Sequence, residues 1–347
     1  MFLLRSVRPD DLKQVMSLAK LLAAVNLAQQ PEDLQKQIQK SMSAVSGETK
    51  NKGEADYIFC LEDLNSQKII GTSMIMAQHG TKDAPHFYFQ VLRLEKFSQT
   101  IHSGIVHQVL RLGYDMDGPT EVGGLVLHPA FRHTGKHLGK LLSWSRFLYI
   151  AMHRRRFKDR VIAEFLPPLT PDGKSPLWEA IGQKFTNLPY MEADRISRKN
   201  KEFILSLFPR QDIYICLLEA RVRELIGQVG EDSLPAKKML ESIGFKYLEM
   251  IDPFDGGPHY GARMKDVALV KKVKTLKFKK ANIRRLKGLG EDLGIVGHNK
   301  NDEFKAVATE CKVEGKNIYL PSEARETLGV EPNDTLHFLP FEPESHA

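Results

Sequence analysis

Cysteine is scarce: Cys60, Cys216 and Cys311 are the only three in 347 residues, far apart and odd in number. That excludes a disulfide framework and any CxxC metal knuckle, and it points to a reducing compartment. Long apolar runs are missing too, since no uninterrupted stretch reaches the ~18 residues of a membrane helix. The opening MFLLRSVRPDDL breaks at Arg5 and turns acidic by Asp10, which is too short for a secretory signal and lacks a cleavage site. The expectation is a soluble, cytoplasmic protein without membrane contacts. Glycine and proline are modest and 42% of the residues are hydrophobic, so the chain is neither disordered nor collagen-like. Its length suggests about two domains and a core that needs no staples.

Charge is present but uneven. The net charge is +7, yet residues 265–287 alone carry ten basic side chains against Asp266, leaving the remainder slightly acidic. The basic balance therefore says little about the body of the protein. We expect a body over 1–264, a basic linker over 265–305 and a β-rich module over 306–347.

Periodicity supplies the elements. Residues 2–8 read as a strand, and Pro9-Asp10-Asp11 opens a helix whose apolar face holds Leu12, Val15, Met16, Ala19, Leu22 and Ala23. Pro31 starts a second helix, with Leu34, Ile38, Met42 and Val45 on one side. Strands are expected at 57–61 and 69–77, joined by Asp63-Leu64-Asn65-Ser66. From Glu121 an apolar strand runs to the stop at Pro129. A basic glycine turn follows, then a helix through Leu141, Trp144, Leu148 and Met152, then the strand Val161–Leu166. Strand, turn, helix and strand make a βαβ unit, so the fold class is α/β (α+β). A helix–glycine–aromatic pattern occurs at 177–185 and again at 239–245, which allows a duplicated half-domain. In the tail, 317–321 and 335–339 read as strands around a helix at 322–328.

The chemistry concentrates at 127–142. A diphosphate needs converging backbone N–H groups without Cβ obstruction at the positive end of a helix. Gly135 and Gly139 permit that approach, while Arg132, Lys136 and Lys140 add charge. This segment resembles the acyl-CoA site of the GNAT N-acetyltransferases. Further blocks occur in order: Ser143-Trp144-Ser145-Arg146-Phe147, Val161-Ile162-Ala163-Glu164, Ser175-Pro176-Leu177-Trp178, Ile226-Gly227-Gln228-Val229 and Asp252-Pro253-Phe254-Asp255-Gly256-Gly257-Pro258. Together they resemble the arginine N-succinyltransferase family over most of the chain.

The resemblance implies a GNAT-like acyl-CoA N-acyltransferase fold and succinyl transfer from succinyl-CoA to the α-amine of L-arginine. Succinyl-CoA is then a co-substrate, with no permanently bound cofactor. The family's CoA contact falls on Leu125, and backbone N–H groups of Leu125 or Leu127 would hold the pantetheine or the thioester oxygen. The family's proton-donating histidine falls on Gly230, which cannot shuttle a proton. Glu164 is therefore the expected base and His259 the candidate replacement. Asp252 and Asp255 would bind a guanidinium by paired hydrogen bonds, with turn-capping as the competing explanation. Residues 24–31 depart from the family's glycine-rich substrate loop, so ornithine or another amine stays open as acceptor. The diphosphate loop is longer than the family's, with His137 where its first glycine would lie.

His102 and His107 are five apart in a helix-like stretch and lack the i, i+4 spacing of a zinc pair, so no metal is expected. The tail over 318–330 resembles AbrB-type transcription factors, which makes nucleic acid a second candidate partner beside the acyl-CoA and amino acid substrates. A lysine-rich run with Phe278 as its one aromatic reads better as a solvated linker. A homo-oligomer stays open.

Overall fold

The computed structural model describes residues 1–21, 27–132, 134–168, 170, 173–198, 200–280 and 292–341. The expected helical positions Leu22 and Ala23, most of the 24–31 loop's first half, His133 and basic residues 284–287 lie outside them. In chain order the strands are β1 (Phe2–Ser6), β2 (Asp56–Asp63), β3 (Lys68–Met76), β4 (His86–Ser98), β5 (Ser103–Asp115), β6 (Thr120–Leu127), β7 (Arg160–Glu164), β8 (Ile213–Tyr214), β9 (Lys246–Ile251), β10 (Pro258–Arg263), β11 (Lys274–Phe278), β12 (Asp292–Lys300), β13 (Glu303–Glu314), β14 (Asn317–Tyr319) and β15 (Thr335–Pro340). The helices α1 (Leu12–Leu21), α2 (Pro31–Ser46) and α3 (Leu138–Met152) are the ones used below.

Two compact units emerge, one from Met1–Ala77, Val122–Asp159 and Met264–Ala347, the other from Gln78–Glu121 and Arg160–Arg263. The expected 1–264 body, 265–305 linker and 306–347 module do not coincide with them. The chain passes between the units within β6, where composition does not change.

In the first unit, β1, β2, β3 and the later part of β6 pair in that order. Asp11 fixes the entry to α1: its carboxylate accepts the Arg8 N–H at 2.7 Å and two hydrogen bonds from buried Arg5 at 2.7 and 2.9 Å. Leu18, Ala19, Leu34 and Ile38 from the first two helices pack on Ile58, Cys60 and Met74. Burying such side chains contributes about 1.5–3 kcal/mol each. The described parts of the segment expected as a linker, 265–280 and 292–305, contain regular structure. Leu276 and Phe278 of β11 are buried, while Lys274 and Lys277 of the same strand are exposed. Strands β12, β15, β11, β14 and β13 pair in that order, and a β12–β13 pairing closes the ring. Its interior holds Phe278, Val296, Val307, Ile318, Leu336 and Phe338.

In the second unit the order is β7, β10, β9, β4, β5, β8, with Thr120 and Glu121 parallel to Val161 and Ile162. Trp178 is fully buried, stacks on Phe254 at 4.8 Å and donates its indole N–H to the Leu188 carbonyl. The long β4–β5 hairpin replaces the helix-like stretch expected around His102 and His107. His102 takes positive φ at the hairpin turn and His107 lies on β5. The two expected helix–glycine–aromatic units also part company. After 234–241, Gly244 turns left-handed and Phe245 leads into β9, whereas Gly182 begins another short helix.

Candidate active site

The first unit carries the anticipated turn. On β6, Gly124 takes φ +55°, and an added Cβ would lie 2.8 Å from Met74, so the position requires glycine. The Gly123 carbonyl accepts from Nη1 of Arg146 at 3.3 Å. Arg146 is buried, with its other hydrogen bonds to the Ser143 carbonyl and hydroxyl, and burial pulls its pKa down to about 9. Leu125 and Leu127 follow on the same strand. The chain then turns at Pro129–Phe131, and Arg132 donates Nε to the Leu127 carbonyl at 3.1 Å, tying the turn to the strand end.

Thr134, Gly135 and Lys136 are exposed, and Gly135 takes φ +71°. An added Cβ at Gly135 or Gly139 would meet nothing within 4 Å, so both present an open face. His137 sits at the N-cap of α3 in a left-handed conformation and supplies no side-chain cap. The first helical hydrogen bond runs from the Leu141 N–H to the His137 carbonyl, so the preceding N–H groups have no acceptor within the helix. Lys136 and Lys140 are not simply solvated. Their ammonium groups lie over Phe2 at 5.0 Å and Trp144 at 5.5 Å. A glycine turn leading to uncapped amides beside Arg132 suits a diphosphate.

The second unit gathers a set of side chains that local spacing does not reveal. Glu164 ends β7 and stands opposite His259 on β10. Its Oε1 is 2.9 Å from His86 Nε2, 3.6 Å from His259 Nε2 and 4.0 Å from His79 Nε2. The 2.9 Å contact is not aligned as a hydrogen bond, so Glu164 Oε1 and His86 Nε2 are both buried without a hydrogen-bond partner. His259 is wholly buried, and neither ring nitrogen has a hydrogen-bond partner. His79 Nδ1 meets the buried Glu121 Oε2 at 2.5 Å.

The electrostatics follow from these contacts. Burial raises the Glu164 carboxyl, but His259, His79 and His86 outweigh it and hold it well below its usual range. Burial lowers His79, yet Glu121 and Glu164 raise it above its usual value. Burial, reinforced by His79, drives His86 down to about 3.

Asp252 accepts the N–H of Phe254 at 2.6 Å and of Asp255 at 3.2 Å, while Asp255 accepts that of Gly257 at 2.7 Å. These are the turn-capping bonds named as the alternative to guanidinium binding, and they use one oxygen of each. Burial raises both carboxyls, with Glu164 adding to the effect at Asp252 and Asp252 at Asp255. Gly230 donates its N–H to the Leu166 carbonyl at 2.8 Å, two residues past Glu164. An added Cβ there would lie 3.1 Å from the Leu166 and Pro167 carbonyl oxygens.

The structure thus brings Glu164 and His259 together and adds His79, His86 and Glu121. None of these three was singled out from the sequence, where Glu121 appears only as the first residue of an apolar strand. The expectation of no metal rested on His102 and His107 and did not reach this cluster.

A strand, an amide-bearing turn, a helix and a parallel strand are the arrangement of the GNAT-like acyl-CoA N-acyltransferases, the class to which this fold belongs, and acyl-CoA is the co-substrate of that class. The family model "Arginine N-succinyltransferase beta subunit" matches residues 2–269. Arginine N-succinyltransferases of Yersinia pestis (31% identical, 99% of each chain) and Photorhabdus laumondii (30%, 100% of each chain) align along its length. The structure of arginine/ornithine succinyltransferase subunit AI from Pseudomonas aeruginosa superposes with a TM-score of 0.84 at 27% identity, covering 99% of both chains. This chain belongs to the arginine N-succinyltransferase family.

Proposed function

We propose that the protein transfers the succinyl group of succinyl-CoA to the α-amine of L-arginine. The observation that carries this reading is the end-to-end family relationship, and the open backbone at Gly135 and Gly139 supports it. In this reading the turn's amides and Arg132 take the diphosphate. Leu125 and Leu127 offer backbone N–H groups to the pantetheine and the thioester oxygen, where one such donor contributes about 3–4 kcal/mol in the transition state. The neutral amine attacks the thioester carbon, a C–N bond forms, the C–S bond breaks, and the CoA thiolate leaves and is protonated.

The amine must first lose a proton. Glu164 receives it, with His259 beside it, and Gly230 takes no part. The second oxygens of Asp252 and Asp255 serve the guanidinium. Its arrival would place a cation beside two buried, upward-shifted carboxyls. The Pseudomonas relative is an arginine/ornithine succinyltransferase subunit, and ornithine is the competing acceptor here. The test is release of CoA thiol from succinyl-CoA with each amine. Arginine should support turnover with the higher kcat/KM, and a preference for ornithine would reassign the acceptor.

A further inference from the structure

We propose that His79, His86 and Glu164 form a binding site for a divalent transition-metal ion, with zinc the best match. The three residues come from the segment before β4, the start of β4 and the end of β7, all within the second unit. Their ligand atoms lie within 4.8 Å of one another. His86 Nε2 and Glu164 Oε1, at 2.9 Å, touch without hydrogen bonding, and both are buried without a hydrogen-bond partner. His79 Nε2 stands 4.0 Å from the same oxygen.

Ligand atoms about 2.0–2.1 Å from a tetrahedral zinc ion are themselves separated by roughly 3.3–3.5 Å, so shifts below about 1 Å would complete the set. The outer residues are in place. Glu121 meets His79 Nδ1 at 2.5 Å, an arrangement that puts the proton on Nδ1 and leaves the Nε2 lone pair for the ion. Two imidazoles and one carboxylate suit zinc and disfavour calcium or magnesium, which prefer all-oxygen sets. His259 Nε2, also buried without a hydrogen-bond partner and 3.6 Å from Glu164, is the nearest candidate for a fourth ligand.

Binding itself does not depend on the proposed acyl transfer, but one consequence does. An ion there would take the Glu164 lone pair, so zinc occupancy and turnover should exclude each other.

The test is titration of the full-length, chelator-stripped protein with zinc chloride against a chromophoric zinc chelator. One equivalent should bind. His79→Gln and His86→Gln should each weaken it by at least about a hundredfold, and Glu121→Gln by about ten- to a hundredfold. Wild-type protein loaded with cobalt(II) should show the visible absorption of a tetrahedral site, which settles the matter if a variant fails to fold. Absence of saturable zinc uptake, a cobalt spectrum without tetrahedral bands, or equal affinity in both folded histidine variants would overturn the proposal. Equal affinity would place the ion elsewhere, as at the exposed His107–Cys216 contact. Zinc uptake by a protein inactive toward every amine would leave the site standing and remove the acyltransferase reading instead.

Discussion

Replacing Glu164 by glutamine keeps the side chain's size and removes its charge. Three imidazole nitrogens lie 2.9, 3.6 and 4.0 Å from Oε1, so the carboxylate dominates the local field. A cation 4 Å from it gains up to ~4 kcal/mol at the effective dielectric of a partly exposed site. Loss of a positioned proton acceptor independently costs ~10²–10⁴ in rate, or ~2.7–5.5 kcal/mol. The two routes agree in size. With saturating succinyl-CoA and arginine, CoA-thiol release should fall at least about a hundredfold in Glu164→Gln. CoA affinity by calorimetry should stay within about twofold, because the proposed diphosphate contacts lie on residues 132–139. A kcat within about threefold of wild type, in a variant with an unchanged thermal midpoint, would refute the assignment of Glu164.

Arg132→Ala should weaken CoA by about tenfold or more, the scale of a charge-assisted hydrogen bond, and equal affinity by calorimetry would mean the turn has been misassigned. Gly257→Ala would place a Cβ 2.1 Å from the Phe165 carbonyl oxygen, so the 252–258 loop must shift at a cost of ~1–3 kcal/mol. Its thermal midpoint should drop by several degrees, and an unchanged midpoint would contradict this packing. Burial, aided by Arg156 and His337, lowers His153 to about 4, so between about pH 6.5 and 4 the unfolded chain holds a proton there that the folded chain refuses. Stability should therefore fall with pH across that window, at most ~1.4 kcal/mol per unit from this group. His153→Gln should flatten the dependence of the urea midpoint, and an identical slope would contradict it.

The unit from β6 through α3 to β7 was legible because each boundary has a local cause. Pro129 stops the strand, glycines make the turn, and apolar residues recur at helical spacing to Met152. The β4–β5 hairpin was not, because exposed Phe97, Ile101, Ile105 and Val106 blur the inward–outward alternation that marks a strand. β11 was hidden for the opposite reason: its lysines read as a charge run, although Leu276 and Phe278 alternate with them into the closed ring. At the site, Glu164 and His259 were found through the family's motif blocks, and the cross-strand register places them side by side. His79 and His86 carry no such spacing signal. They meet Glu164 only because the sheet brings β4, β7 and β10 into one unit. For Asp252 and Asp255 both guanidinium binding and turn-capping were open from the sequence, and one oxygen of each accepts from the amides of their own turn.

The most direct test incubates the purified chain with succinyl-CoA and L-arginine and follows both products, free CoA thiol and the succinylated amino acid, by mass spectrometry. CoA and an arginine carrying one succinyl group on its α-nitrogen should appear in equimolar amounts. CoA release without any succinylated amine, or no release with arginine and ornithine alike, would contradict the proposed transfer.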